Sequence, residues 1–106
     1  MRVVAAGAAV AIALAGIVAH AADAAFTPEQ VNAGRELYAR NCAPCHGPRM
    51  QDPESAFDLR KFPHEDHTRF VAAVTRGKNQ MPPWGDLLKP DEIEALWAYV
   101  TAGENR

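Results

Sequence analysis

The chain has 106 residues, 48% of them hydrophobic, with 11 Lys and Arg against 13 Asp and Glu for a formal charge of −2. So near neutrality, and with no basic patch, it offers nucleic acid no surface to bind. The length suits one ordinary domain, and the only two cysteines, Cys42 and Cys45, fall within one short motif, leaving none for a structural disulfide.

Residues 1–21 are expected to be a cleavable secretory signal peptide. Arg2 is its positive start, Val3 to Ala19 is an uncharged run dominated by Ala and Val, and Ala19-His20-Ala21 and Ala22-Asp23-Ala24 both fit the A-x-A cleavage pattern. Cleavage after Ala24 is the alternative, and the mature domain is placed at 25–106. A retained membrane anchor is the rival. At 17 residues, mostly Ala, the run lies at the short edge of what spans a bilayer. Export to the periplasm is therefore expected, with no stable membrane span after cleavage. The mature domain of a little over 80 residues is a size at which an apolar core alone gives marginal stability.

The first helix opens at Thr27-Pro28-Glu29-Gln30. Thr27 is the expected N-cap, Pro28 takes the first helical position, and Gln30 can complete a capping box. Val31, Gly34, Leu37 and Tyr38 then share one face at helical spacing. This helix delivers Cys42-Ala43-Pro44-Cys45-His46, the attachment pattern of a c-type haem. Two thiols one helical turn apart can both reach the vinyl groups on one porphyrin edge, and His46 then falls under the iron as proximal ligand.

Residues 47–63, with Gly47, Pro48, Pro53 and Pro63, are expected to be loop. A shorter helix follows from Glu65 or Asp66 to about Arg76, with Phe70, Val71 and Val74 apolar and Gly77 ending it. The next loop, 77–86, carries Asn79-Gln80-Met81-Pro82-Pro83-Trp84. Met81 is the expected second axial ligand: Met1 lies in the signal, and Met50, four residues past His46, is too near to reach the opposite porphyrin face. A thioether favours ferrous iron and raises the potential relative to bis-His ligation. His64 and His67 are the rivals for that position, and either could instead be a solvated surface residue. Trp84 could pack on the haem, donate its N–H to a propionate, or be plain core.

The last helix starts at Pro90 with Asp91, Glu92 and Glu94 near its positive end. Ile93, Leu96, Trp97 and Val100 form its apolar stripe, and Gly103 is its expected stop. Gly34 predicts a close crossing of the first and last helices, with Tyr38, Leu96 and Trp97 as neighbours. There are no internal repeats, no alternating strand pattern, no paired catalytic carboxylates and no nucleophile–base arrangement. Cys42, Cys45, His64 and His67 formally supply four zinc-type ligands, but the gap between the pairs is long for a finger, that between the histidines is short, and His46 would have no role. A thioredoxin-type dithiol lacks its surrounding β-α-β pattern.

With Cys42-Ala-Pro-Cys45-His46, a later Met81-Pro82 and the closing Glu92-Ile93-Glu94-Ala95-Leu96-Trp97-Ala98-Tyr99-Val100, the chain from Thr27 to Gly103 resembles a small class I c-type cytochrome. The resemblance implies an all-α, cytochrome c-like fold: three main helices and loops around one covalently bound haem c, with His46 and Met81 as axial ligands. The function implied is one-electron transfer between redox protein partners, not enzymatic catalysis. Docking would use the exposed haem edge near Ala43, Pro44, Pro82 and Pro83, with Arg49, Arg60, Lys61, Arg69, Arg76 and Lys78 as candidates for steering or for pairing with haem propionates. A narrower likeness rests on Phe57-Asp58-Leu59-Arg60-Lys61-Phe62-Pro63 and Met81-Pro82-Pro83-Trp84-Gly85-Asp86. These stretches are similar to soluble cytochromes that accept electrons from periplasmic quinoprotein alcohol dehydrogenases. That implies a pyrroloquinoline-quinone enzyme as donor and a terminal oxidase or another cytochrome as acceptor. The alternatives are a haem sensor or peroxidase-like protein with a labile sixth ligand, and a tightly bound subunit of a dehydrogenase complex.

Overall fold

A computed structural model describes residues 26–51, 53 and 56–104; the expected signal segment lies outside them. Helix α1 spans Pro28–Asn41. Its capping box forms as the sequence requires: the Thr27 hydroxyl accepts from the Gln30 backbone N–H at 3.1 Å, and the Gln30 side chain accepts from the Thr27 N–H at 3.0 Å. Val31, Gly34, Leu37 and Tyr38 are its buried residues. After Cys42 the chain makes a single helical turn, α2, over Ala43–His46.

The described residues of 47–63 are not all loop. Two 3-10 turns, Pro48–Met50 and Leu59–Lys61, interrupt it. Arg49 and Met50 both adopt positive φ, at 56° and 62°, a conformation that favours glycine. The reversal returns the chain to α1 and buries Met50 to 2% exposure. Apolar burial thus offsets the backbone cost, which no local residue pattern announces.

Helix α3 spans His67–Arg76, one or two residues later than expected, because Asp66 caps it from outside by accepting from the Arg69 N–H. Gly77 ends it at φ 79°. Helix α4 spans Pro90–Ala102 and stops at Gly103, φ 80°. Glu92 closes its first turn by accepting from the Lys89 N–H at 2.8 Å. The described residues form no strand; Lys78 and Met81 make one isolated bridge.

Helices α1 and α4 cross at Gly34 with Tyr38 beside the contact, as expected, but α4 turns Ala95 and Tyr99 to it instead of Leu96 and Trp97. A Cβ on Gly34 would stand 1.9 Å from the Ala95 carbonyl oxygen and 2.9 Å from the Tyr99 Cβ. The rings of Tyr38 and Tyr99 lie beside this point, centroids 5.2 Å apart. Ala95 and Tyr99 form one i, i+4 row of α4, while Leu96 lies about 100° and Trp97 about 200° further round from Ala95. Trp97 accordingly packs on Phe62 and Phe70, at 5.9 and 5.0 Å between centroids. With partners on both sides, every residue of α4 from Ala95 to Val100 is buried. Polar groups close the outer end: the Tyr99 hydroxyl donates to Glu104 at 2.6 Å, and Arg35 from α1 reaches the same carboxylate at 3.6 Å.

Candidate functional site

One cavity of about 690 Å³ opens between the α1–α2 junction, α3, the 78–84 segment and α4. Its walls are mainly apolar, with Leu59, Phe62, Phe70, Val74, Leu88, Leu96 and Val100 among them. Cys42, Cys45, His46 and Met81 all line it. Its size falls within the range of about 300–1,000 Å³ typical of cofactor sites.

The geometry of the Cys-x-x-Cys-His turn follows from local rules. Pro44 suits the first turn of a helix because its missing N–H is not needed there. The Cys45 and His46 amides both donate to the Cys42 carbonyl, at 3.2 and 2.9 Å, which holds the two cysteines one turn apart. The turn is anchored behind by Tyr38, whose hydroxyl donates to the Gly47 carbonyl. Burial pushes the Tyr38 phenol up from 10.0 to about 12, so it stays a donor at neutral pH. Burial, with Cys45 adjacent, also pushes the Cys42 thiol up to about 11. That is opposite to the direction a redox dithiol's nucleophile needs.

His46 Nδ1 lies 3.0 Å from the Phe57 carbonyl. A carbonyl can only accept, so Nδ1 carries the proton and Nε2 is left with its lone pair free for a metal. The partner is a main-chain oxygen eleven positions away, and nothing in the sequence marked it.

Met81 is set by a clip onto the end of α3. The Lys78 and Met81 backbones exchange hydrogen bonds of 3.0 and 2.9 Å around a turn at Asn79-Gln80, with Asn79 at φ 56°. The Trp84 and Gly85 amides then donate to the Val74 and Thr75 carbonyls at 2.8 and 3.1 Å. Gly77 is required here twice over, by its positive φ and because a Cβ would meet the Met81 carbonyl oxygen at 2.6 Å. Trp84 also lines the cavity.

His64 and His67 do not line the cavity. His64 is exposed. His67 packs on Trp97 with centroids 5.4 Å apart and points Nε2 at Glu94, 2.6 Å away. Among the described residues no group of three or more His, Cys, Asp or Glu side chains is arranged to hold a metal ion, and the four formal zinc ligands are not brought together. Met50, too, is core and not wall.

The sequence of residues 29–100 matches the family model described as cytochrome C oxidase, cbb3-type, subunit III. Cytochrome c6 of Nostoc sp. (strain PCC 7120 / SAG 25.82 / UTEX 2576) is 36% identical over 81 residues, covering 72% of this chain and 72% of that protein. The chain belongs to the cytochrome c family. It is an electron-transfer protein carrying one covalently bound haem c, which implies redox partners. Cytochrome c6 of Anabaena variabilis is 38% identical over 72 residues, 63% of this chain and 84% of its own length. Quinohemoprotein alcohol dehydrogenase ADH IIB of Pseudomonas putida is 36% identical over 80 residues; the match takes in 73% of this chain but spans 12% of that much longer protein. No helix among the described residues is long and apolar enough to cross a membrane.

Proposed function

We propose that this cytochrome is an exported one-electron shuttle whose haem is tied to Cys42 and Cys45 and ligated by His46 and Met81. The observation that carries the assignment is that these four side chains, from two separate segments, line one apolar cavity. When bound, the haem supplies an iron that cycles between ferric and ferrous states. Cys42 and Cys45 fix its orientation through thioether bonds. His46, with Nδ1 committed to the Phe57 carbonyl, offers Nε2 in one tautomer. Met81, on a backbone held by the Lys78 bridge and the Trp84–Val74 clip, offers a soft sulfur. Phe62, Phe70, Val74 and Leu96 exclude water from the interior and so favour the less charged ferrous form.

Cleavage after Ala21 or Ala24 and delivery to the periplasm complete the reading, supported by the leader pattern and by the need of c-type haem attachment for an oxidising compartment. For the donor we propose a periplasmic quinoprotein alcohol dehydrogenase, with a terminal oxidase or another cytochrome as acceptor. The likeness to the cytochrome-sized part of a quinohemoprotein alcohol dehydrogenase supports this donor.

Visible spectra of the exported protein, oxidised, then reduced, then exposed to carbon monoxide, test the ligation. The expected result is a low-spin c-type spectrum with the methionine-sulfur-to-iron band and no carbon monoxide response. A high-spin, carbon monoxide-sensitive spectrum would favour a sensor or peroxidase-like role. Stopped-flow reduction by a purified quinoprotein alcohol dehydrogenase tests the donor, and failure to reduce at useful rates would remove it.

A further inference from the structure

Among the described residues the cavity wall is charged in one sense only: its fixed charges are Arg69 and Lys78, and no carboxylate lines it, although the chain as a whole carries more acid than base. Haem c brings two carboxylates of its own. We propose that Arg69 and Lys78 hold these two carboxylates, one cation to each; this rests on the haem ligation proposed above.

Each cation is stationed in advance. The Arg69 guanidinium lies over the Phe62 ring, 4.5 Å from its centroid, and Phe62 is itself cavity wall. Among the described residues its acidic partner is Asp66 at 3.5 Å, with the Arg69 side chain 49% exposed. An exposed pair of that length is weak. The guanidinium has five donors, so most remain for an incoming carboxylate. Lys78 has no ion pair among the described residues, and its backbone is fixed by the paired hydrogen bonds to Met81. The neutral polar groups of the wall are poorer candidates. Tyr38 has committed its proton to Gly47, and Asn41 donates to the Leu37 carbonyl at 3.0 Å. Carboxylates against apolar wall without cationic partners would be costly to bury. Arg60, Lys61 and Arg76 do not line the cavity, and Arg60 is forked onto Asp58 at 2.9 Å.

Two cations beside the haem oppose the extra positive charge of ferric iron, so they raise the midpoint potential. The test is spectroelectrochemistry on exported holoprotein, with haem attachment checked first by mass and haemochrome assay. Arg69→Gln and Lys78→Gln are each expected to lower the potential, and the double variant to lower it further. Arg76→Gln, an equal loss of charge on the same helix but outside the cavity, is the control and should shift it least. Arg69→Lys keeps the charge and should stay near the parent, which separates charge from folding. If Arg69→Gln and Lys78→Gln match Arg76→Gln, or if one of them alone shifts, the two-cation assignment is overturned. Parent protein without covalent haem would overturn the ligation itself, and the attachment assay tells that failure apart.

Discussion

Gly34→Ala puts a single methyl group where α1 and α4 touch. The added Cβ would lie 1.9 Å from the Ala95 carbonyl oxygen, 2.6 Å from its carbon and 2.9 Å from the Tyr99 Cβ. Non-bonded carbon atoms are comfortable at about 3.5–4.0 Å, so the helices must part by roughly 1.5 Å at their closest point. The obstruction is main chain, which no rotamer change can relieve. Overpacking of this kind costs about 1–3 kcal/mol and occasionally more. The substitution also recovers about 1 kcal/mol of helix propensity. Taking the upper end of the first figure because backbone meets backbone, the net loss is about 2 kcal/mol. For a domain of this size each kcal/mol moves the melting temperature by about 4–8 °C, giving a fall of about 8–16 °C. Thermal melts of the holoprotein by far-ultraviolet circular dichroism measure it, with Ala33→Gly as control at the neighbouring exposed position, where only the propensity cost of about 1 kcal/mol applies. A Gly34→Ala protein that melts at or above the parent temperature would refute the tight crossing.

Three further outcomes follow from the site. Met81→Ala should abolish the methionine-sulfur-to-iron band and admit carbon monoxide, read by difference spectra; an unchanged spectrum would remove Met81 as ligand. Gly77→Ala combines φ 79° with a 2.6 Å approach to the Met81 carbonyl. It should cost about 1–3 kcal/mol in backbone strain, and the same band should be lost at a lower temperature than in the parent. Tyr38→Phe strips the Gly47 carbonyl of its donor and should cost about 1–3 kcal/mol at neutral pH by chemical denaturation. Tyr38 also bears on alkaline stability, because its folded value of about 12 stands above the ordinary 10.0. A group raised by folding contributes stability in full below its unfolded value and loses it as pH rises through the folded one. The parent should therefore weaken between about pH 10 and 12, with Tyr99 acting in the same direction, and Tyr38→Phe should show a shallower alkaline loss.

What could be read in the sequence was what local chemistry decides. The Thr27–Gln30 capping box, Pro28 and Pro90 at helix starts, and Gly77 and Gly103 at helix ends each act within a few residues, so the helices fell where their signals stood. Cys42, Cys45 and His46 likewise share one turn, and the spacing carries their geometry. The start of α3 drifted by a residue or two because Asp66 caps from outside the helix.

Other features depended on where distant segments meet. That α4 presents Ala95 and Tyr99 to Gly34, and Trp97 to Phe62 and Phe70, follows from its being packed on both sides; an apolar stripe cannot reveal a second buried face. His67 was a formal ligand candidate until folding set it beside Glu94, 27 positions away. The Phe57 carbonyl that fixes the His46 tautomer has no sequence signature, since every residue carries a carbonyl and only the chain path selects one. The same holds for Arg69 and Lys78 among the basic residues. The sequence supplies the charges, but their place on the cavity wall depends on how α3 and the 78–84 segment close over it.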